Sequence, residues 1–99
     1  MEIELKDQSL ELIETDRAAE SGFPVSIIKS CRKKFVFLRS ATDERTLREW
    51  KSLHYEKLSG DKEGQRSIRL NDQWRLVFEI DTNCNPNKIT VICIEDYHK

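Results

Sequence analysis

Two histidines, His54 and His98, are the side chains of this 99-residue chain best suited to moving protons near neutral pH. His98 closes the run ICIEDYHK, directly after Asp96 and Tyr97, and His54 opens the polar stretch HYEKLSGDKEG. Arg69 in RSIRL and Arg75 in QWRLVF cannot usefully give up a proton, but a guanidinium holds a phosphate and steadies charge that grows on it. A tyrosine stacks on a base or donates a hydrogen bond. Together these are the parts needed to cleave RNA without a metal. A base activates the ribose 2′-hydroxyl, a cation steadies the phosphorane, and an acid protonates the leaving 5′-oxygen. Each residue also has a plainer reading: His54 as a loop residue, Arg75 as a solvated strand residue, Tyr97 as packing at the end of the core, Asp96 as a cap. Convergence in space would make them a site, and spacing alone does not supply it. Neither the histidines nor Cys31, Cys84 and Cys93 fall at the spacing of a zinc pattern, so no metal and no cofactor is expected. Cys93, amid apolar residues, reads as a small hydrophobe rather than a nucleophile.

These residues need elements to hold them. MEIELK alternates and predicts a first strand, and DQSLELIETD predicts a short helix around Leu10 and Ile13. Gly22 and Pro24 punctuate ESGFP. From Pro24 onward Ile27, Ile28, Cys31, Phe35 and Leu38 fall on one helical stripe. Thr42 is then expected to cap a second stretch, DERTLREWKSL, with Leu47 and Trp50 three apart. Two helices, or one long kinked one, thus span roughly 24–53. HYEKLSGDKEG is expected to be a loop. RSIRL, QWRLVFEI and ITVICIE then predict a three-stranded meander with turns at Asn71-Asp72 and at DTNCNPNK. Trp74, Leu76, Phe78 and Ile80 should face the helices, and Arg69 and Arg75 the opposite, open face. The last strand, apolar on both sides, is expected to be interior and to hold Asp96, Tyr97 and His98 beside Arg75. The class is α+β, one domain over 1–99, with an N-terminal strand, two to three helices and the meander.

Charge is segregated along the chain. Residues 1–27 carry two basic and seven acidic residues, residues 28–75 thirteen and seven, and residues 76–99 two and four. The basic middle block suits an anionic partner such as RNA, or is simply a lysine-rich solvated helix face. An odd cysteine count without C-x-x-C spacing argues for reduced thiols. No basic-then-apolar leader and no long apolar run is present, so a cytoplasmic protein without membrane attachment is expected.

The stretch LSGDKEGQRSIRLNDQWRLVF, the preceding SATDERTLREWKSLHYEKL and the closing IEDYH resemble the HigB-type toxins of the RelE/ParE superfamily. The resemblance implies a compact RelE-like β-α-α-β-β-β fold. It also implies an mRNA interferase, an endoribonuclease that cuts messages in the ribosomal A site without a metal. It implies a HigA-type helix-turn-helix antitoxin, mRNA and ribosome as partners, and contact with operator DNA only through the antitoxin complex. Carried over by residue type and position, the catalytic set is His54, Arg75, Asp96, Tyr97 and His98, with either histidine as acid or base. Arg69, Arg66, Lys57 and Lys62 are the expected RNA or phosphate contacts. His54 stands four positions before Leu58 of the LSGD motif, a spacing that varies in the family. Two alternatives on the same fold are a ParE-like gyrase inhibitor and a degenerate toxin that only partners an antitoxin.

Overall fold

Strand β1 (Glu2–Leu5) opens the chain, and its alternation turns Ile3 and Leu5 toward the core. A computed structural model describes residues 1–96. Helix α1 (Gln8–Leu12) follows, capped by the Asp7 carboxylate on the Ser9 amide, and buries Leu10. Helix α2 (Val25–Ser40) starts directly after Pro24 and buries the predicted stripe Ile27, Ile28, Cys31, Phe35 and Leu38. Helix α3 (Glu44–Glu49) is capped by Asp43, whose carboxylate accepts from the Arg45 and Thr46 amides, rather than by the expected Thr42. A carboxylate at a helix start gains from the aligned peptide dipoles, which a hydroxyl cannot match. Leu47 is buried as expected, whereas Trp50 remains 54% exposed.

The remaining chain builds the sheet. A 3₁₀ turn at Lys51–Leu53 leads into β2 (Glu56–Lys57), then β3 (Arg66–Arg69), β4 (Trp74–Asp81) and β5 (Lys88–Asp96). The five strands lie in the order β1-β5-β4-β3-β2, with β1 parallel to β5 and the other pairs antiparallel. The meander is thus as expected, but the loop after His54 contributes a further edge strand. Strand β5 is interior, between β1 and β4. The α-ammonium of Met1 donates to the carbonyls of Leu38 (3.1 Å), Arg39 (2.8 Å) and Ala41 (2.5 Å). This ties β1 to the end of α2, where carbonyls lack helical partners.

One sheet face is covered. Ile68, Leu76, Phe78, Ile80, Ile89 and Val91 pack against the buried residues of α1, α2 and α3 in one core. Deleting a side chain such as Phe78 to alanine in such a core costs about 3–5 kcal/mol. The other face carries Ser67, Arg69, Arg75, Val77, Cys93 and Glu95, which pair across strands as Ser67↔Val77, Arg69↔Arg75, Val77↔Cys93 and Arg75↔Glu95. The β4–β5 ladder slips once. Phe78 faces Val91 and Val77 faces Cys93, so Ile92 is an inserted bulge residue.

Candidate functional site

The bulge decides which end residues share a face. Beyond Ile92 the alternation of β5 inverts, so Glu95 stands opposite Arg75 on the open face and Asp96 stands opposite Trp74. The Gln73 side-chain amide donates to Asp96 Oδ2 at 3.0 Å. Of the acid-Tyr-His group expected beside Arg75, Asp96 is thus one position out of register, and Tyr97 and His98 lie outside the described residues. Glu95, which sequence reading passed over, is the cross-strand neighbour instead. It accepts from Lys62 Nζ at 2.5 Å.

His54, Arg69 and Arg75 do come together. With Asn71 and Asp72 they line one open cavity of about 310 Å³ on the face away from the helices. Arg75 donates through Nε to Ser67 Oγ (2.9 Å) and through Nη2 to the His54 carbonyl. Arg69 Nη1 lies 3.3 Å from His54 Nε2, and its Nη2 donates to Asp72 Oδ1. A guanidinium has donors only, so a hydrogen bond in this contact requires the His54 tautomer in which Nε2 accepts.

His54 is held by its backbone. It ends the 3₁₀ turn at φ 49° and ψ 52°, the left-handed region, and is the sole residue other than glycine with positive φ among the described residues. Its amide donates to the Lys51 carbonyl at 3.1 Å. A β-carbon makes this conformation costly, so the flanking chain must enforce it. On one side Leu53 is 2% exposed in the core. On the other, the Tyr55 hydroxyl donates to Glu44 Oε2 (2.5 Å), which also lies 3.3 Å from Arg66 Nε. Arg48 completes the cluster at 3.0 Å from Glu44 Oε1. Burial pushes the Tyr55 phenol up to about 12, with the Glu44 hydrogen bond adding to it, so it stays a donor. Burial alone would raise the Glu44 carboxyl, but the Tyr55 hydroxyl with Arg48, Arg66 and Lys57 outweighs it and holds the group below its ordinary value.

The other expected phosphate contacts separate from the cavity. Arg66 lies on the helix-side face of β3, since it pairs with Phe78, and is engaged by Glu44, Tyr55 and the Gly64 carbonyl. Lys62 is on Glu95, and Lys57 is exposed on β2. Lys62 and Arg75 together draw the segment 54–62 across the outer face. Cys93 is no thiolate: burial raises its thiol, and Glu95 adds to the effect. Among the described residues no three His, Cys, Asp or Glu side chains gather as a metal group, and no helix is long and apolar enough to cross a membrane.

A mixed five-stranded sheet with helices on one face is the fold of RelE-like toxins. Solved structures agree on the fold. The YoeB/ParE toxin from Agrobacterium tumefaciens superposes with a TM-score of 0.61 at 15% identity, covering 99% of this chain and 100% of that one. The YoeB-YefM complex from Staphylococcus aureus gives 0.56 at 19% identity, covering 100% and 98%. Residues 3–98 match the family described as the RelE-like toxin of type II toxin-antitoxin system HigB. Toxin HigB-1 of Vibrio cholerae serotype O1 is 33% identical over 94 residues, 89% of this chain and 99% of that protein. The chain belongs to the HigB-like toxins of type II toxin-antitoxin systems.

Proposed function

We propose that this toxin is an mRNA interferase that cuts messages on the translating ribosome, neutralised by a HigA-type antitoxin. The observation that carries this reading is the convergence of one imidazole and two guanidinium groups, His54, Arg69 and Arg75, on one open cavity. The reaction transfers phosphorus within the substrate. The ribose 2′-oxygen bonds to phosphorus, the bond to the 5′-oxygen breaks, and the products are a 2′,3′-cyclic phosphate and a 5′-hydroxyl. The base takes the 2′-proton and the acid returns one to the 5′-oxygen, so no metal step is needed. His54, which lines the cavity with both arginines, is assigned as the base and His98 as the acid. Arg75 and Arg69 hold the phosphate and its growing charge. Asp96, held by the Gln73 amide, orients the tail, and Tyr97 stacks or donates.

Family membership supports an antitoxin partner, and the S. aureus YoeB relative is described as a complex with YefM. The test uses purified ribosomes translating a defined message. The wild type should generate new ends within the message, bearing cyclic phosphate and 5′-hydroxyl groups. Arg75→Ala, His54→Ala and His98→Ala should abolish them. Loss of DNA supercoiling by gyrase without any message cleavage would replace this reading with the ParE-like one. The reading frame beside this gene should encode a helix-turn-helix protein that co-purifies with the toxin and blocks cleavage.

A further inference from the structure

Helix α2 has two flanks beside its buried stripe. On one, Arg32 donates to the carbonyls of Ile13 (2.7 Å) and Thr15 (2.9 Å), and Arg39 pairs with Glu14 at 2.5 Å. That flank is occupied. On the other, Ser30, Lys34 and Phe37 follow at spacings of four and three and so form one ridge. Ser30 Oγ donates to the Leu70 carbonyl at 2.6 Å, which sets this end of the ridge beside Arg69 and the cavity rim. Phe37 at the other end meets Trp50, with ring centroids 5.2 Å apart and planes tilted by 56°. From Trp50 the 3₁₀ turn Lys51–Leu53 returns directly to His54. The ridge thus runs from Leu70, next to Arg69 in the chain, to Trp50, from which the turn leads to His54, with Lys34 between its two ends.

The aromatic pair is one-sided. Phe37 backs the indole, while Trp50 itself is 54% exposed. Lys51 follows it directly in the chain, while Arg48 is already paired with Glu44. Lys34 is half-buried, and burial, with like-charge repulsion from Lys33 and Arg69, holds its ammonium below the ordinary value. Of these cations Arg69 lines the cavity, and an anion held between Arg69 and Lys34 would relieve their repulsion. An exposed indole flanked by cations is how proteins hold unpaired bases, since every base has a face to stack.

We propose that Trp50, backed by Phe37, is a stacking platform for an unpaired base of the RNA substrate, and that Lys34 holds the strand's phosphate between this platform and the His54–Arg69–Arg75 cavity. The inference rests on the ribonuclease reading and adds a second binding point to it. It assigns the exposed aromatic surface to RNA rather than to the antitoxin.

The experiment compares wild type, Trp50→Ala, Trp50→Phe, Trp50→Leu and Lys34→Met in single-turnover cleavage on programmed ribosomes. Half-saturating ribosome concentration and saturating rate are read separately, and unfolding midpoints check that each variant folds. Trp50→Ala should raise the half-saturating concentration roughly 5- to 150-fold, with a smaller change in saturating rate. Trp50→Phe should recover much of the loss and Trp50→Leu little, because leucine keeps apolar area but offers no π face. Lys34→Met should weaken binding and flatten its salt dependence. A short single-stranded RNA should quench indole fluorescence in the wild type and not in Trp50→Phe. Wild-type behaviour of Trp50→Leu and Lys34→Met would overturn the inference while leaving the nuclease standing. Loss of antitoxin neutralisation in Trp50→Ala, with cleavage untouched, would overturn it by giving the face to the protein partner. If the wild type cleaves no message, the nuclease reading fails, and absence of RNA quenching then refutes the platform as well.

Discussion

His54 offers a test that separates its backbone role from its chemistry. At φ 49° and ψ 52° any residue with a β-carbon pays a conformational penalty, of about 1–2 kcal/mol. Glycine avoids that penalty but loses about 0.4–1 kcal/mol through the greater freedom of its unfolded chain. Both His54→Gly and His54→Ala forfeit the same imidazole contact with Arg69, so this loss cancels between them. The difference leaves His54→Gly more stable than His54→Ala by about 0.5–1 kcal/mol, a gap of roughly 2–8 °C in unfolding midpoint for a domain this size. His54→Asn should fall between, because asparagine tolerates the left-handed region better than alanine. Cleavage should follow none of this order. All three variants lose the proposed base, at a cost of about 10²- to 10⁴-fold in single-turnover rate. Urea and thermal unfolding give the first ranking and programmed ribosomes the second. Alanine at least as stable as glycine would refute the left-handed turn. A glycine variant that cuts at the wild-type rate would refute the imidazole as base.

Further outcomes follow from the surroundings of the cavity. Arg75→Lys should lower cleavage by about 10²-fold or more, because one ammonium cannot serve Ser67, the His54 carbonyl and a phosphate together; the check is single-turnover rate with stability measured in parallel. The Glu44 carboxyl is held below its unfolded value, so its contribution is complete above the ordinary carboxylate range and is lost as pH falls through the lower folded value. Acid unfolding of Glu44→Gln should therefore be less steep below about pH 4.5, the ordinary value, and Tyr55→Phe should blunt the same dependence in part. Burial pushes the Cys31 thiol up to about 12, so maleimide should leave it unmodified until the protein unfolds, while exposed Cys84 reacts first; mass mapping of labelled peptides reads the order.

Much of this site was legible from side-chain periodicity. The stripe of α2 and the alternation of β3 and β4 place Arg69 and Arg75 together on the uncovered face, because each strand residue has only two directions to point. What periodicity does not carry is partner choice. Arg66 has the same residue type as Arg69, yet it lies on the other face and is bound by Glu44 and Tyr55. Lys62 is likewise held by Glu95, 33 positions away. Lys34, offset from the buried stripe, reads as a solvated lysine until Ser30 is found on the Leu70 carbonyl.

The end of β5 shows why its register was hidden. A slip of one residue normally exposes itself, because it turns an apolar set toward water. Around the bulge, however, Val91, Ile92, Cys93 and Ile94 are all apolar, so either alternation reads equally well. An uninterrupted ladder from the Phe78↔Val91 pair would set Ile94 opposite Arg75 and Glu95 opposite Trp74. The inserted Ile92 moves Glu95 across from Arg75 and sends Asp96 to Trp74 and Gln73. A carboxylate directly opposite the guanidinium proposed to hold phosphate would compete with an anionic substrate. The Lys62 ammonium, 2.5 Å from Glu95, offsets that competition. The segment after His54 therefore does two jobs: it carries the imidazole to the cavity, and its Lys62 occupies the acid that the bulge brings there.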